Sequence, residues 1–385
     1  MNRRVLTILS LGHLAHDLQG GALPVLLPLV KAVFHLTYTQ VTALVLVANV
    51  SSSIIQPIFG VWSDRISARW LIPVGILTTG LGIALVGVAP TYAILIVAVF
   101  LKGIGQAAFH PEGSRLAHTV SGDRRGAGMS TFVVGGNLGL AFSPLVMGFV
   151  LGKLGLRGTV WYGIPAILMA FAVWRAMQGV PQWKVPAKAR AGVVAGAAPI
   201  PRHILATVAL VLCYVVLRSW IHQGLSSFIP LYAVNERGAD PRQAGFLVTV
   251  LLISGAVGTA LGGPLSDRWG RTPLLTYSML LVGAVLWLVP FAPGPWLVAL
   301  IAFTGLMVIA TFTICVVMVQ ELLPGHIGLA TGMTMGLAMG LGGVGVNILG
   351  VIADRWGLRA ALWTISALPA LAFLLALRLP RRVST

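Results

Sequence analysis

The sequence predicts an all-α membrane protein with twelve transmembrane helices in two six-helix, pseudo-symmetric halves. Three observations predict it. The 385 residues are 57% hydrophobic and only 9% charged, whereas soluble domains carry about 25% charged residues. The apolar runs approach or exceed the ~20 residues that cross a bilayer as a helix, and they do not alternate as barrel strands would. A Gly-x-x-x-Asp-Arg sequence occurs at Gly60–Arg65 and again at Gly263–Arg268, corresponding points of a six-plus-six pattern.

The first apolar stretch, 5–31, contains His13-Leu-Ala-His16-Asp17. A carboxylate at bilayer depth costs about 2.5–3.5 kcal/mol, so it needs a partner, a proton or a water-filled cavity. His13 and Asp17 are four apart and His16 adjoins Asp17, so all three can face one side of a helix. The second span, 39–62, leads into Gly60-Val-Trp-Ser-Asp64-Arg65, and the third covers 70–89. The fourth, 92–118, carries Lys102, Gln106, His110 and Ser114 at successive i, i+4 steps. Such a polar stripe on an apolar helix is predicted to face a wet cavity or another polar helix. Pro111 predicts a kink. Glu112 points away from His110; with Arg115 it forms an i, i+3 pair that reads equally as a structural ion pair or a proton relay. The fifth span, 125–151, holds Gly135, Gly136, Gly139, Pro144 and Gly148, and the sixth covers 159–179.

Residues 180–202, rich in Pro, Gly, Ala and Lys, read as a cytoplasmic linker between bundles at 1–179 and 203–385. The seventh span, 203–233, places Arg218 and His222 four apart. An arginine stays charged in any protein and must meet an acid, carbonyls, water or an anionic ligand. The eighth, 240–266, runs into Gly263-Pro-Leu-Ser-Asp267-Arg268-Trp-Gly270-Arg271. The ninth and tenth cover 272–291 and 295–322, with Glu321 near the end as a gate or cap residue. The last two cover 326–352 and 359–378.

Charge supplies the orientation. With the N-terminus inside, 17 of the 26 Lys and Arg residues fall in cytoplasmic segments and 7 outside, which puts both termini in the cytoplasm. The net charge of +17 does not indicate nucleic acid, because the basic residues lie in loops between spans rather than in one patch. Cys213 and Cys315 both sit in apolar spans and read as small fillers, not a disulfide framework. Met1-Asn-Arg-Arg leads into a span that continues past Asp17 without a small-residue cleavage site, so no cleavable signal peptide is expected. There is no phosphate-cradling loop, no H-E-x-x-H and no cysteine-metal pattern. An enzyme, a cofactor and ATP drive are therefore not expected, and the histidine spacing singles out no metal site.

The paired loop sequences and the six-plus-six pattern resemble the major facilitator superfamily over essentially the whole chain. That family's loop motif reads roughly G-x-L-x-D-R-x-G-R-R. The second copy matches well; the first has Ser67 in place of glycine and Ala68 in place of a basic residue. Within the superfamily the chain is similar to bacterial exporters of the fosmidomycin-resistance type. The stretches that carry this are His13-Leu-Ala-His16-Asp17 with Leu23-Pro24 and Leu27-Pro28-Leu29, then Phe109-His110-Pro111-Glu112, then Val134-Gly135-Gly136-Asn137-Leu-Gly139 with Ser143-Pro144, and, more loosely, Gln320-Glu321-Leu-Leu-Pro324. The resemblance implies a proton-driven exporter of small molecules at the bacterial inner membrane, with helices 1, 4, 7 and 10 lining the cavity. The glycines and proline of the fifth span loosely resemble the family's antiporter motif, with Ser143 where glycine usually precedes the proline. Small-residue helix packing explains them equally.

The expected activity is proton/substrate antiport by alternating access, exporting a small organic compound of anionic or amphiphilic character. Asp17, His13, His16 and Glu112 are the candidates for proton coupling. Lys102, Gln106, His110, Arg218 and His222 are the candidates for substrate binding. Gly60, Asp64 and Arg65, with Gly263, Asp267, Arg268 and Arg271, are candidates for a conformational latch: the glycines admit a neighbouring helix, and the aspartates accept from its N-terminal N–H groups. Arg115 and Glu321 are candidates for a gate or ion pair. The expected partners are substrate, protons and the lipid bilayer, with a monomer as the default. Proton symport of an organic acid, facilitated diffusion, and a non-transporting sensor or lipid-handling protein with a transporter fold remain open.

Overall fold

The computed structural model describes residues 1–66, 68–122, 124–178, 180, 201–323 and 327–380; most of the expected linker, 181–200, lies outside them. In chain order the helices are α1 (Arg3–Gly20), α2 (Leu23–Val33), α3 (Tyr38–Ile66), α4 (Leu71–Val86), α5 (Tyr92–Ser121) and α6 (Arg125–Leu154), a 3₁₀ helix (Leu156–Tyr162), then α7 (Gly163–Met177), α8 (Arg202–Asn235), α9 (Pro241–Trp269), α10 (Arg271–Leu286), α11 (Gly294–Leu322), α12 (Ile327–Trp356) and α13 (Leu358–Ala376). Counting α1 and α2 as one interrupted span, these are the twelve expected. Large apolar side chains such as Ile54, Leu168, Phe171 and Leu261 are exposed, as suits a multi-pass protein whose solvent is lipid.

Three boundaries differ from expectation for local reasons. The first span breaks after Gly20, where Gly21 N–H returns to the Asp17 carbonyl at 2.9 Å and Ala22 N–H to Gln19 at 3.3 Å. Pro24 has no N–H to offer the Gly20 carbonyl, and two successive glycines make the helix cheap to interrupt. The sixth span opens as a 3₁₀ helix, because Gly155 at φ 61° turns the chain out of α6. The ninth ends at Leu286, before the Pro290 region. Elsewhere local signals hold: Asp240 and Gln243 form a capping box at the start of α9, with Pro241 in its first turn. α5 continues as helix through Pro111.

The chain forms two compact units. The first comprises residues 1–34 and 47–196, the second residues 35–46 and 197–385. α3 therefore contributes its first turns to the second unit and the rest to the first. In the first unit, an apolar core containing Leu9, Ile76, Phe109, Phe132 and Val173 joins α1, α4, α5, α6 and α7. α4 and α5 pack with backbones nearly touching: a Cβ at Gly82 would stand 2.7 Å from both the Ala98 carbonyl oxygen and the Lys102 nitrogen. In the second unit, fully buried Tyr214 on α8 donates its hydroxyl to the Leu275 carbonyl of α10 at 3.2 Å.

Gly82→Val is expected to force α4 from α5 and to destabilise the protein by about 1–3 kcal/mol. Gly263→Ala, where an added Cβ meets nothing within 4 Å, is expected to be neutral. Melting of the two variants in the same detergent checks the contrast; equal melting temperatures would contradict the close packing.

Candidate functional site

Three imidazoles surround the Asp17 carboxylate. Oδ2 is 3.2 Å from His13 Nε2; Oδ1 is 3.7 Å from His110 Nε2 on α5 and 4.0 Å from His16 Nε2. The first distance suits a hydrogen bond, and the other two are charge contacts whenever those rings are protonated. His13 Nδ1 lies 2.9 Å from the Phe132 carbonyl oxygen on α6. A carbonyl only accepts, so Nδ1 carries its hydrogen. In the neutral ring Nε2 is then a lone pair facing a carboxylate. Two acceptors cannot hydrogen-bond, so a hydrogen bond between them needs one further proton, on Nε2 or on Oδ2. The pair can thus alternate between one net negative charge and neutrality.

The surroundings hold the rings in place. Phe132 stacks on His13 with centroids 4.1 Å apart, and Phe109 stacks on His16 at 4.2 Å. His16 is wholly buried, and neither of its ring nitrogens has a hydrogen-bond partner among the described residues. The glycines of α6 set the spacing: a Cβ at Gly136 would stand 2.4 Å from His13 Nε2 and 2.8 Å from Asp17 Oδ2. Gly135 and Gly139 likewise press on the carbonyls of Ser10 and Leu14. Ser143 donates its hydroxyl to the Leu18 carbonyl, a bond that glycine at this position would not make. The small residues of the fifth span thus pack α6 against the polar part of α1.

The α5 stripe turns toward α1. His110 joins the Asp17 cluster. Gln106 passes Gly20, where a Cβ would come within 2.6 Å of its Nε2. Buried Lys102 donates from Nζ to Gln106 Oε1 at 2.7 Å. The donor atoms of His13, Asp17 and His110 all lie within 4.8 Å of one another, a grouping that the sequence spacing did not single out. That is compact enough for a single cation. Glu112 is not brought to this cluster. Its Oε1 accepts from the N–H of Ala68, just before α4, at 3.1 Å, and lies 3.6 Å from Arg115 Nη1.

In the second unit, Arg218 is buried on α8. Its Nη1 donates to the Val308 carbonyl at 3.3 Å, and its guanidinium lies 4.7 Å from the centre of the Phe312 ring. Arg218 Nε and His222 Nε2 are buried without hydrogen-bond partners among the described residues. Arg271, at the start of α10, forms an ion pair with Glu321 at the end of α11, uniting a residue expected in the latch with one expected in a gate. Asp267 and Arg268 are exposed. The helix approach expected at Gly263 is not made, since a Cβ there meets only open space. The side chains of Gly60, Asp64 and Arg65 lie outside the described residues.

Sequence reasoning missed the Phe132 carbonyl and the role of Gly136. The Gly135-Gly136 doublet was the visible signal, but its partner on α1 was not. A backbone acceptor has no residue type by which to find it.

The Major Facilitator Superfamily profile matches residues 9–240 and 211–385. The chain is 34% identical to an uncharacterised MFS-type transporter, YfnC, of Bacillus subtilis strain 168, over 96% of this chain and 91% of that protein. It is 30% identical to the fosmidomycin resistance protein of Escherichia coli K12, with the same coverage of each chain. Among solved structures, it superposes at a TM-score of 0.81 on a bacterial homologue of the human lysosomal transporter Spinster in an inward-facing, occupied conformation. That match has 16% identity and covers 99% of this chain and 98% of the other.

Gly136→Ala is expected to drive His13 from Asp17 and to cost about 1–3 kcal/mol of stability. In a His13→Ala background the same change should cost less, because the nearer collision, with the His13 ring, is gone and only that with Asp17 Oδ2 remains. Melting of the four variants of this cycle provides the check, and an additive result would contradict the contact.

Proposed function

The chain belongs to the Major Facilitator Superfamily, and on that premise we propose that this membrane transporter is a proton-coupled antiporter that exports a small organic compound by alternating access. The observation that carries the reading is the His13–Asp17 contact with Nδ1 already committed to the Phe132 carbonyl. A site that needs one proton to be satisfied, within an apolar span, suits coupling. With the proton bound, the pair is neutral and its basic neighbours are released. With the proton gone, the bare carboxylate requires a cation, from Lys102, His110 or the loaded substrate complex. An amphiphilic substrate that presents positive charge to Asp17 then competes with the proton for one site, as antiport requires.

The remaining roles follow from this scheme. His16, without a hydrogen-bond partner beside Asp17, tunes the carboxylate electrostatically. Lys102, Gln106 and His110 from the first half, and Arg218 and His222 from the second, contact the substrate. Glu112 and Arg115 anchor the segment before α4. The Asp64 and Asp267 loops, with Arg65, Arg268 and the Arg271–Glu321 pair, control closure on the cytoplasmic side. The halves, 1–179 and 203–385, rock about the central site. The distribution of basic residues supports an orientation with both termini in the cytoplasm, and the bacterial relatives support the inner membrane. The transporter works as a monomer.

The test uses proteoliposomes with an internal pH-sensitive dye, an imposed proton gradient and a compound panel that includes fosmidomycin. Wild type is expected to show substrate-dependent proton flux opposite in direction to the substrate. Asp17→Asn, which fixes the pair in its neutral form, should lose the pH dependence, a change of about 5- to 150-fold for typical coupling energies. Flux in the same direction as substrate would make the protein a symporter. Undiminished coupling in Asp17→Asn would overturn the assignment of the proton to this pair.

A further inference from the structure

The end of α12 carries a third copy of the loop pattern. Gly350-Val-Ile-Ala-Asp354-Arg355-Trp356-Gly357-Leu-Arg359 repeats the spacing of Gly263-Pro-Leu-Ser-Asp267-Arg268-Trp269-Gly270-Arg271 through its glycine, aspartate, arginine, tryptophan and second glycine. The two copies share their local structure. Gly270 and Gly357 both take positive φ, 89° and 85°, in the turn between one helix and the next. In both, an arginine at the start of the following helix pairs with a glutamate at the end of another: Arg271 with Glu321, and Arg359 with Glu236 at 3.7 Å.

The third copy is engaged by a helix N-terminus. Asp354 Oδ1 accepts from the Tyr38 N–H at 2.6 Å, and Oδ2 accepts from the Thr39 N–H at 2.8 Å. Both carboxylate oxygens therefore face the first N–H groups of α3, where a negative charge is favourable. Asn347, two turns earlier on α12, donates to the Thr39 carbonyl at 3.1 Å and to Thr42 Oγ1 at 3.4 Å. Gly350 clears the way, since a Cβ there would stand 2.1 Å from Thr42 Oγ1 and 2.9 Å from the Tyr38 carbonyl oxygen. A carboxylate, a side-chain amide and a glycine on one face of α12 thus fit one short stretch of α3. All of these residues belong to the second unit, whereas α3 from Val47 onward belongs to the first.

We propose that Asp354, Asn347 and Gly350 form a latch for the start of α3, gripping it in one half of the transport cycle and releasing it in the other. Asp64 lies in the last turn of this same helix, at its opposite end. On the orientation proposed above, the latch closes the external face; its operation does not depend on which group carries the proton. The start of α3 is built to survive release. Thr37 Oγ1 accepts from the Gln40 N–H at 3.1 Å, and Gln40 Oε1 accepts from the Thr37 N–H at 3.0 Å. This capping box joins Thr37 to the first turn of α3 without any α12 residue, so it persists when α12 leaves. The Tyr38 and Thr39 N–H groups and Asp354 are at an exposed position, so water can replace each of their bonds. A contact with charge-assisted bonds when made and hydration when broken is suited to reversal.

The test measures spin-label distances between Val33→Cys and Trp356→Cys, both at exposed positions, in full-length protein in lipid nanodiscs with Cys213→Ser and Cys315→Ala. Asp354→Ala is expected to raise the ratio of the longer to the shorter distance population about fivefold, the usual effect of losing a helix cap. Asp354→Asn should fall between, because an amide oxygen still caps. Gly350→Ala, which introduces a clash but leaves the carboxylate in place, should give the same shift as Asp354→Ala, and it carries the test if Asp354→Ala fails to fold. A distance distribution unchanged from the parent in a folded variant would overturn the latch, while proton coupling through Asp17 would stand or fall separately.

Discussion

A backbone carbonyl, an imidazole and a carboxylate form a line through the first unit, and the rest of the candidate site is arranged around it. The Phe132 oxygen occupies one side of His13, so the other side meets Asp17 with a lone pair unless a proton intervenes. A carboxylate at this depth would cost a few kcal/mol if left bare. The surrounding His16 and His110 rings offset that cost only when protonated, and neither supplies the missing hydrogen bond. A proton placed between Nε2 and Oδ2 would complete that line of hydrogen bonds.

Holding that line requires helices packed more closely than side chains ordinarily permit. α6 reaches α1 through Gly135, Gly136 and Gly139, and Ser143 donates to the last turn of α1. α5 reaches α4 at Gly82 and passes α1 at Gly20, bringing Gln106 and His110 to the polar side of α1. α1 ends just beyond Asp17, because Gly20, Gly21 and Pro24 interrupt the ladder there. The same glycine-rich composition that suits lipid-embedded helices therefore also brings the ionisable groups into contact. Packing and electrostatics are one design in this unit: α6 cannot retreat without opening the His13–Nδ1 bond.

Much of the fold was legible because it depends on composition and period. Apolar runs, their breakers and the paired Gly60 and Gly263 loops gave twelve spans whose boundaries fall within a few residues of the observed helices. The exceptions are explained by residues whose effects depend on three-dimensional context: the break at Gly20, the 3₁₀ turn after Gly155 and the early end of α10. The i, i+4 arithmetic was enough to put His13 beside Asp17 and Lys102 beside Gln106, since both pairs lie within one helix. It was not enough to bring His110 to Asp17, to send Glu112 to the Ala68 N–H, or to reveal the Phe132 carbonyl, all of which are set by contacts between helices or with backbone. The Asp354 copy is present in the sequence but differs in where it occurs: it lies at the end of α12 rather than of a second or eighth span, so the repeat of the two halves does not predict it.

The most direct measurement is the infrared titration of purified protein in lipid, following the Asp17 carboxyl stretch and the His13 ring modes, each identified by its loss in Asp17→Asn and His13→Gln. A shared proton predicts that the carboxyl and ring signals move together with one midpoint, and that removing either partner shifts or abolishes the other's change. Two independent midpoints, each unaffected by loss of the other residue, would contradict the shared proton and leave the contact as packing alone.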